Sequence, residues 1–488
     1  MLIKKMLRDE KQYIESLRDG RVVYYRGDKV KDVTTHRALR AAVNHASLVY
    51  KWQADDDKRG LTVYKDPENG DVSSFFKIPR SSDDLIERFN LIYQTTRFGR
   101  GTFNIIKAIG SDAIFALMLV TRRIDSATGS KYAERVTRFY KNVIKNDPAI
   151  AVAQTDVKGD RLLRPSEQPD PDMYVRIVER RKDGIVVRGA KAHTTQGPVS
   201  NEIIVLPTRA MTEKDADYAV AFAVQANAPG LKMISKPERA AEAAMNDEWF
   251  VTGKENVETE SITIFDDVFV PWDRVFLAGE WQFAGSLAVM FPTYHRFTAI
   301  SYRAGIADMF IGLGKLLAEY NGVDDKSHIR RDVVELIKYK EMLRSTAISS
   351  AMMADLDTET GIVIPNKVLT NVGKLIANES YMDVVKHLVD IAGGLAATLP
   401  ASSDFNNPEE KVYLEKYLIG KKGTNAVERA RIISTVKEII SSFGALYTAA
   451  MLHAEGSIEA SVLELYRSYD YKDSKKLAMY ASGISEKL

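Results

Sequence analysis

The feature that most constrains the fold is the spacing of apolar residues, which changes twice along the chain. Up to about residue 145 helical spacing dominates, from Asp147 to Leu277 apolar and polar residues alternate, and after Trp281 helical spacing returns. Spacing of three to four residues is typical of helices, and alternation is typical of strands. The sequence therefore predicts an α+β fold with a helical N-terminal domain (1–145), a central β domain (146–278) and a C-terminal helical bundle (279–488).

Local signals place individual helices. The stretch Ser82-Asp83-Asp84-Leu85 has the polar residues of a capped helix start. A helical pattern that runs to Ile391 is followed by Gly393-Gly394, as is typical of a helix C-terminus. A further helix is predicted from apolar residues at helical spacing, namely Val368, Val372, Leu375 and Ile376.

The central region contains an unusual strand between Asp183 and Gly197. Ile185 and Val187 alternate with other residues as in a strand, but the pattern breaks at Gly189 and gives way to polar groups, Lys191, His193, Thr194 and Thr195. A later segment predicts a second strand, with one face formed by Ile262, Ile264, Val268 and Val270. A strand that ends in adjacent hydroxyl groups is a candidate ligand site.

Charge and hydropathy exclude several classes of partner. The chain has 68 Lys and Arg against 66 Asp and Glu, a formal charge of +2, so no overall field attracts nucleic acid or an acidic membrane. Its longest apolar run, Ala113 to Val120, is far shorter than the roughly 18 residues of a membrane span. We therefore expect a cytoplasmic protein with a small-molecule substrate and neither nucleic acid nor membrane as a partner.

Cysteine is absent from all 488 residues. This excludes disulfides, thiolate nucleophiles, cysteine-bound zinc and clusters held by cysteine thiolates. The seven histidines include no pair four residues apart and no His-Glu-x-x-His motif. A metal held by protein ligands is not expected.

Four segments carry a family resemblance. They resemble the family that contains 4-hydroxybutyryl-CoA dehydratase and the oxygenase component of 4-hydroxyphenylacetate 3-hydroxylase, most closely its dehydratase members. The segments are Glu167 to His193, Phe265 to Leu277, Ala284 to Arg296 and Asp390 to Pro400. The resemblance extends over nearly the whole chain and implies the acyl-CoA dehydrogenase-like fold, bound FAD and a homotetramer built from dimers.

The resemblance also implies where FAD binds. Two strand ends are expected to hold the flavin, because hydroxyl and backbone N–H groups satisfy its edges without adding charge. A neighbouring subunit is expected to reach the FAD pyrophosphate through its bundle. The implied residues are Gln154, Thr155, Lys158, Asp160 and Arg161 at the first strand end, Lys191, His193, Thr194 and Thr195 at the second, and Gly393, Gly394 and Ser402 in the bundle. The alternatives are ordinary turns and a plain helix stop.

The dehydratase members bind a [4Fe-4S] cluster through three cysteines and a histidine. The histidine position matches His295, but the cysteine positions fall at about Asn104, Ala108 and Tyr302. The lysine after the third cysteine is Arg303 here, one active-site glutamate matches Glu260, and a second is Ala450. Without the cluster, removal of a 4-hydroxyl group loses its Lewis acid.

Proton transfer on a short acyl-CoA remains feasible, since the thioester acidifies the C2 proton. Conversion of vinylacetyl-CoA to crotonyl-CoA needs a base, an acid and an oxyanion hole. We expect His295 and Glu260 to be these catalytic groups, with Arg100, Asn104, Tyr302 and Arg303 binding substrate. The alternatives are that His295 is a structural core residue and that Glu260 pairs with a nearby arginine.

Two other functions stay open. The hydroxylases hold a phenol with an arginine, a tyrosine and a histidine. Arg100 matches the arginine, but Asn104 replaces the tyrosine and an apolar residue near Val152 replaces the histidine. A reduced-flavin monooxygenase served by a separate flavin reductase, acting on another phenol, is one alternative. The other is a catalytically silent paralogue.

Overall fold

The two changes in apolar spacing coincide with changes in secondary structure. The computed structural model describes residues 7–255, 257–440, 452 and 454–484. Helices dominate as far as Asn146, strands follow from Ile150 to Ala278, and helices return at Ala284. The α+β prediction is confirmed, whereas the division into three separate domains stays a prediction. No helix within the described residues is long and apolar enough to cross a membrane.

The N-terminal region is not wholly helical, because two of its strands join the central sheet. Its helices are α1 (Glu10–Ser16), α2 (Leu39–Ala54), α3 (Asp56–Thr62), α4 (Ser82–Phe98), α5 (Ala108–Thr128) and α6 (Tyr132–Asn146). Its strands are β1 (Val22–Tyr25), β2 (Asp28–Lys29), β3 (Val63–Asp66) and β4 (Gly70–Ser73). Ser81 caps α4 in a capping box with Asp84, which confirms the predicted helix start.

The central region forms two sheets. Its strands are β5 (Ile150–Ala153), β6 (Arg176–Arg180), β7 (Gly184–Thr195), β8 (Glu202–Val205), β9 (Val220–Gln225), β10 (Leu231–Ser235), β11 (Glu260–Pro271) and β12 (Val275–Ala278), and its helices are α7 (Arg239–Ala244) and α8 (Val251–Glu255). One sheet has the order β2-β1-β10-β11-β7-β6 and the other β12-β9-β8-β5. Phe222 of β9 packs edge-on against Phe265 of β11, so the sheets share a core.

The C-terminal region is built on one long helix. Its helices are α9 (Ala284–Asn321), α10 (Ser327–Met352), α11 (Lys367–Glu379), α12 (Tyr381–Ala392), α13 (Leu395–Thr398), α14 (Ser402–Asn406), α15 (Pro408–Tyr417), α16 (Ala426–Ile440), α17 (Ile458–Ser468) and α18 (Lys472–Ala481), with a hairpin of β13 (Asp355–Asp357) and β14 (Ile362–Ile364). Gly393 follows α12 at φ +70°, which confirms the predicted helix stop.

The predicted apolar face of β11 is wrong, because a bulge interrupts the strand. Ile262 is 44% exposed, whereas Val268 and Val270 are fully buried. Phe265 pairs with Gly189 but Val268 pairs with Val187, so β11 carries one extra residue, and Asp267 adopts φ +54° there. One inserted residue exchanges the two faces of a strand. Before the bulge the buried residues are therefore Ser261, Thr263 and Phe265.

Strand β7 continues past Gly189, the point where its alternation of apolar and polar residues breaks. The strand continues through Gly189 to Thr195 instead of ending at the glycine. Gly189 adopts φ +128°, and a Cβ atom there would lie 2.3 Å from the carbonyl oxygen of Tyr174. Only glycine fits this conformation and this close approach. The polar cluster is therefore the end of one long strand.

Helix α11 buries a polar face, contrary to what its apolar spacing suggests. Val368, Val372, Leu375 and Ile376 are only half-buried. Asn371 and Asn378 face inward and accept hydrogen bonds from Arg296 and Arg303 of α9, at 2.7 and 2.6 Å. Arg296 and Arg303 are seven residues apart on α9, and Asn371 and Asn378 are seven residues apart on α11. The two buried arginines therefore meet two acceptors with the same helical spacing.

Candidate functional site

The ends of β5 and β7 lie side by side. The backbone N–H of Ala192 donates to the carbonyl oxygen of Thr155 at 2.8 Å, and Lys191 forms an ion pair with Asp156 at 2.6 Å. The Lys191 ammonium also donates to the carbonyl oxygens of Gln154 and Leu206. Its three N–H donors are therefore used within the protein, and Lys191 ties the two strand ends together.

The remaining flavin candidates differ in accessibility. The side chains of Thr155 and His193 have no hydrogen-bond partner within the described residues. Burial, with a smaller effect of Lys158, lowers the pKa of His193. The Thr194 hydroxyl is buried and accepts a hydrogen bond from Thr263 at 2.8 Å. Lys158, Asp160 and Arg161 are exposed on the connecting loop, as are Gly393 and Gly394 beyond α12.

Ser402 is buried at the start of α14, where its hydroxyl accepts from the backbone N–H of Glu248 at 3.0 Å. It thus lies beside the segment that leads into β11. Among the described residues Ser402 forms no hydrogen bond with the two strand ends, so the predicted role towards FAD would be towards the FAD of a neighbouring subunit. The assignments of these residues to FAD stay predictions.

Glu260 is attached directly to the end of β7. The Thr195 hydroxyl donates to Glu260 Oε1 at 2.9 Å, and Oε2 is buried without a hydrogen-bond partner. Burial raises the pKa of Glu260 to about 7, against the opposing hydrogen bond from Thr195. A carboxyl group with this pKa gains and loses a proton near neutral pH, as an acid–base catalyst must.

A second carboxylate, Glu258, lies two residues before Glu260 and was not predicted from the sequence. Its Oε1 lies 4.0 Å from Nε2 of His45 and has no hydrogen-bond partner. Burial, and then the charges of Glu260 and Glu455, raise the pKa of Glu258 well above the usual glutamate value. No sequence pattern singled it out, because Glu258 precedes the first residue of β11.

His295 sits in α9 with its orientation fixed. Its Nδ1 lies 3.2 Å from Asp112 Oδ2, and Phe291 stacks on the ring. The other oxygen of Asp112 accepts from Arg88 at 2.6 Å and from Thr298 at 3.1 Å. Asp112 thus favours the tautomer with the proton on Nδ1, which leaves Nε2 available as a base. Asp112 is a further residue missed from the sequence.

Tyr302 and Arg303 belong to a buried ionic network around Glu455. Glu455 accepts from the Tyr302 hydroxyl at 2.7 Å and from Arg303 at 2.9 Å, and Lys374 lies 3.6 Å away. Burial alone raises the pKa of Glu455, but Arg303 and Lys374 bring it below the usual value. Burial, with repulsion from Arg303, lowers the pKa of Lys374 to about 7. Ala450, where the resemblance implies a lost glutamate, lies outside the described residues.

The other two substrate candidates lie on the loop after α4. Asn104 is buried and donates to the carbonyl oxygen of His45, and Phe103 beside it stacks on Tyr302 with ring centroids 4.8 Å apart. Arg100 adopts φ +57° in an exposed turn and forms an ion pair with Glu255 at 3.4 Å. The loop therefore places Asn104 at the network and Arg100 at the surface.

Electrostatic neighbours connect the two predicted catalytic residues. His295 lowers the pKa of Glu455, Glu455 raises that of Glu258, and Glu260 does the same to Glu258. We call this set, His295, Glu455, Glu258 and Glu260, the acid–base site. The structure connects Glu455 to the residue after His295, since Arg296 Nε donates to the Glu455 carbonyl oxygen at 3.1 Å, and it connects Glu260 to the end of β7 through Thr195. That His295 and Glu260 act together stays a prediction.

The chain is similar to known proteins over nearly its whole length. The N-terminal domain of the 4-hydroxyphenylacetate 3-hydroxylase family matches residues 9–277, and its C-terminal domain matches residues 284–483. The 4-hydroxybutyryl-CoA dehydratase/vinylacetyl-CoA-Δ-isomerase of Clostridium aminobutyricum is 33% identical over 98% of this chain and 100% of its own.

Two solved structures superpose over almost the whole chain. An oxygen-tolerant archaeal 4-hydroxybutyryl-CoA dehydratase from N. maritimus has a TM-score of 0.92 at 32% identity and covers 98% of this chain and 95% of its own. The oxygenase component HpaB of 4-hydroxyphenylacetate 3-monooxygenase, complexed with FAD and 4-hydroxyphenylacetate, has a TM-score of 0.89 at 25% identity and covers 98% and 99%.

The α+β fold and the similarity to these relatives define the chain as an enzyme. Within that class, the chain belongs to the 4-hydroxyphenylacetate 3-hydroxylase family. The family relationship inferred from the sequence is confirmed. Because this family contains both a dehydratase/isomerase and flavin-dependent oxygenases, membership alone does not choose the reaction.

Proposed function

We propose that this protein binds FAD and catalyses proton transfer on a short acyl-CoA, as in the conversion of vinylacetyl-CoA to crotonyl-CoA. The observation that carries the proposal is Glu260. Its carboxyl group has a pKa of about 7, an unpaired oxygen and a hydrogen bond to Thr195 at the end of a candidate flavin strand. Such a group is suited to proton transfer at neutral pH.

The residues at the two strand ends fit FAD. Thr155 and His193 offer a hydroxyl and an imidazole that have no hydrogen-bond partner among the described residues, and desolvation lowers the pKa of His193. Uncharged donors and acceptors are what the isoalloxazine edges need. When bound, FAD supplies a flat, polarisable ring system. HpaB, with the same fold, has been solved with FAD.

The positions of the [4Fe-4S] cluster do not fit a cluster. Asn104 is hydrogen-bonded to the backbone of His45, and Tyr302 is held between Phe103 and Glu455. Neither side chain is a thiolate, and a buried guanidinium, Arg303, lies beside them. We infer that this chain does not dehydrate 4-hydroxybutyryl-CoA, and no step of the proposed reaction requires iron.

The proposed reaction needs two proton transfers. His295 Nε2 removes the proton from C2, which the thioester makes acidic, and the electron pair forms the C2–C3 double bond. The C3–C4 π electrons then take a proton at C4 from Glu260. Transfer of the proton from His295 back to Glu260 completes the cycle with no net change of protons. Asp112 stabilises the protonated imidazole between the two transfers.

The variant Glu260→Gln should separate the two proton transfers. It should lose isomerisation by about 10²–10⁴-fold, because the C4 acid is removed, while exchange of the C2 proton by His295 continues. Wild-type isomerisation should fall as pH rises through about 7, since the protonated carboxyl is the acid. Deuterium incorporation and crotonyl-CoA formation, measured by mass spectrometry across pH, check both results.

The control for this experiment is Glu179→Gln, which removes an exposed carboxylate from the same sheet. It should leave both rates unchanged. If Glu260→Gln loses C2 exchange as well as isomerisation, Glu260 also takes part in removing the C2 proton, and its assignment as the C4 acid only is wrong.

The variant Thr155→Val should weaken FAD binding by between about twofold and tenfold, which corresponds to one hydrogen bond of about 0.5–1.5 kcal/mol. Titration of the apoprotein with FAD, followed by flavin fluorescence, measures the dissociation constant. Thr137→Val, an exposed threonine of α6, is the matched control. Equal FAD affinity in Thr155→Val and wild type would contradict the assignment of Thr155 to the FAD site.

We also infer a homotetramer, which the family resemblance implies. The large apolar side chains that α15, α17 and α18 expose support association of subunits. These include Val412, Tyr413, Tyr417, Tyr466, Leu477 and Tyr480. Exposed apolar patches of this kind mark interaction surfaces. Sedimentation analysis should give a tetramer for the wild type and smaller species for the variant Tyr413→Lys/Tyr417→Lys. A wild-type monomer with full flavin affinity would contradict this inference.

A further inference from the structure

Glu258 is a buried carboxyl group that the two proton transfers do not use. Its side chain is only 8% exposed, and Oε1 has no hydrogen-bond partner within the described residues. The backbone N–H of Ile105 donates a hydrogen bond to the same carboxyl group. The protein therefore holds the carboxyl group in place and leaves Oε1 unused.

No cation forms a hydrogen bond with Glu258 among the described residues. Its Oε1 lies 4.0 Å from Nε2 of His45, which is beyond hydrogen-bond distance. That nitrogen lies 3.0 Å from the carbonyl oxygen of Phe103, and because a carbonyl only accepts, Nε2 directs its proton there. Lys236 forms an ion pair with Glu238 at 2.6 Å. A buried carboxylate without a bound cation is costly, so this environment favours the uncharged acid.

The charges around Glu258 act in the same direction. Burial raises the pKa of Glu258 well above the usual glutamate value, and the negative charges of Glu260 and Glu455 raise it further. The hydrogen bond from Ile105 and the positive charge of Lys236 oppose this effect. The group thus combines a retained proton with an oxygen that has no partner.

Glu258 also lies against the loop that carries a predicted substrate-binding residue, Asn104. Ile105 of this loop donates to Glu258, and Phe103 is hydrogen-bonded to His45, the neighbour of Glu258. Asn104 itself donates to the carbonyl oxygen of His45. The loop, His45 and Glu258 are therefore linked by hydrogen bonds and close packing on the substrate side of the predicted site.

We propose that Glu258 is an uncharged carboxylic acid whose O–H group donates a hydrogen bond to the carbonyl oxygen of the substrate thioester. This inference rests on the proposed function, whose reaction needs an oxyanion hole besides the base and the acid. A carboxylic acid kept neutral by an apolar environment serves as such a donor in other enzymes.

The hydrogen bond would act during the first proton transfer. When His295 removes the C2 proton, negative charge develops on the thioester oxygen, and a donor placed there stabilises that charge. The proton stays on Glu258, so no bond to it breaks. The two proton transfers between substrate, His295 and Glu260 therefore remain balanced.

The test compares wild type with Glu258→Gln and Glu258→Met as full-length, FAD-loaded protein. Glutamine is uncharged and keeps a donor, whereas methionine has a similar length and no donor. Deuterium exchange at C2 of butyryl-CoA should fall by less than about tenfold in Glu258→Gln and by about 10²–10³-fold in Glu258→Met. Glu179→Met, which replaces an exposed glutamate, is the matched control and should exchange at the wild-type rate.

Two exchange results would overturn the proposal. Equal losses in Glu258→Gln and Glu258→Met would indicate that the ionised carboxylate is the active form. Wild-type exchange in Glu258→Met would show that no donor is needed at this position. Both variants should fold, because each removes a buried carboxyl group without leaving a paired cation behind.

Infrared difference spectroscopy provides a second readout that needs no turnover. A hydrogen bond to the carbonyl oxygen weakens the C=O bond, so the carbonyl band of bound butyryl-CoA should shift to lower frequency in wild type and in Glu258→Gln. The shift should be smaller in Glu258→Met. Wild type should also show a protonated carboxyl band at pH 7 that Glu258→Gln lacks. Equal shifts in wild type and Glu258→Met, or absence of that carboxyl band, would overturn the proposal.

The two readouts separate this inference from the proposed function. Wild-type protein that shifts the carbonyl band through Glu258 but shows no C2 exchange contradicts the proposed reaction and supports Glu258 as the donor to the thioester. C2 exchange that is unchanged in Glu258→Met contradicts the role of Glu258 and leaves the reaction standing. Wild-type protein that does not bind butyryl-CoA contradicts both.

Discussion

Replacing His295 by alanine should slow deuterium exchange at C2 of an acyl-CoA by about 10²–10⁴-fold while FAD stays bound. The imidazole is the base that Asp112 orients, and loss of a positioned base has an effect of this size. Exchange from D₂O, followed by mass spectrometry of the thioester, measures the effect. Added imidazole should restore part of the rate, because it can occupy the space left by the side chain.

His387 provides a matched control. It forms the same kind of pair, with Nδ1 2.8 Å from Asp332, on the bundle away from the acid–base site. His387→Ala should exchange at the wild-type rate. Equal rates in His295→Ala and wild type would exclude His295 as the base.

Assays of the wild-type protein distinguish the functions that the sequence left open. Absence of exchange, together with reductase-dependent oxygen consumption on a phenol, would replace the isomerase proposal with a monooxygenase. Absence of both activities would indicate a silent paralogue. Loss of activity in a variant is therefore informative only beside an active wild type.

Replacing Glu455 by alanine should lower the free energy of unfolding by about 3–5 kcal/mol. Arg303 and Lys374 are both buried, and removal of the carboxylate leaves their charges without compensation. Denaturant unfolding at pH 7 measures the change. Glu459→Ala, an exposed position at the start of α17, should change the free energy by less than about 1 kcal/mol.

The pH dependence of this effect follows from the lowered pKa of Glu455. Its stabilising contribution is present above the usual glutamate pKa and is lost as pH falls through the lowered value in the folded protein. Wild type and Glu455→Ala should therefore converge in stability on acidification. If Glu455→Ala does not fold, the double variant Arg303→Met/Glu455→Met should, because it removes Arg303 together with the carboxylate. The remaining cation, Lys374, has a pKa of about 7 and can lose its proton. Equal stability of wild type and Glu455→Ala at pH 7 would contradict the network's structural role.

Much of the fold was predictable from the sequence because its signals are local. The change from helical to alternating spacing located the strands, Ser82 to Leu85 marked a helix start, and Gly393 marked a helix end. The two strand ends were likewise predicted, since polar residues at strand ends are visible in the sequence. Lack of cysteine excluded a thiolate-bound cluster without any structure.

Other features depend on pairing between distant segments. The inserted residue in β11 reversed the face predicted for Ile262, because only pairing with β7 reveals a bulge. The polar inner face of α11 exists because Asn371 and Asn378 meet arginines of α9. Apolar spacing cannot indicate this, since it records where apolar residues lie and not which buried charges need acceptors.

The sequence by itself thus determined the order of helices and strands, the family and the absence of thiolate ligands. Tertiary structure alone decided which carboxylates are buried together. Glu258 and Glu455 are nearly 200 residues apart in the chain, yet each changes the protonation of this site through burial and charge. Burial and the distance between charges set a pKa, and both are properties of the packed molecule that no local pattern specifies.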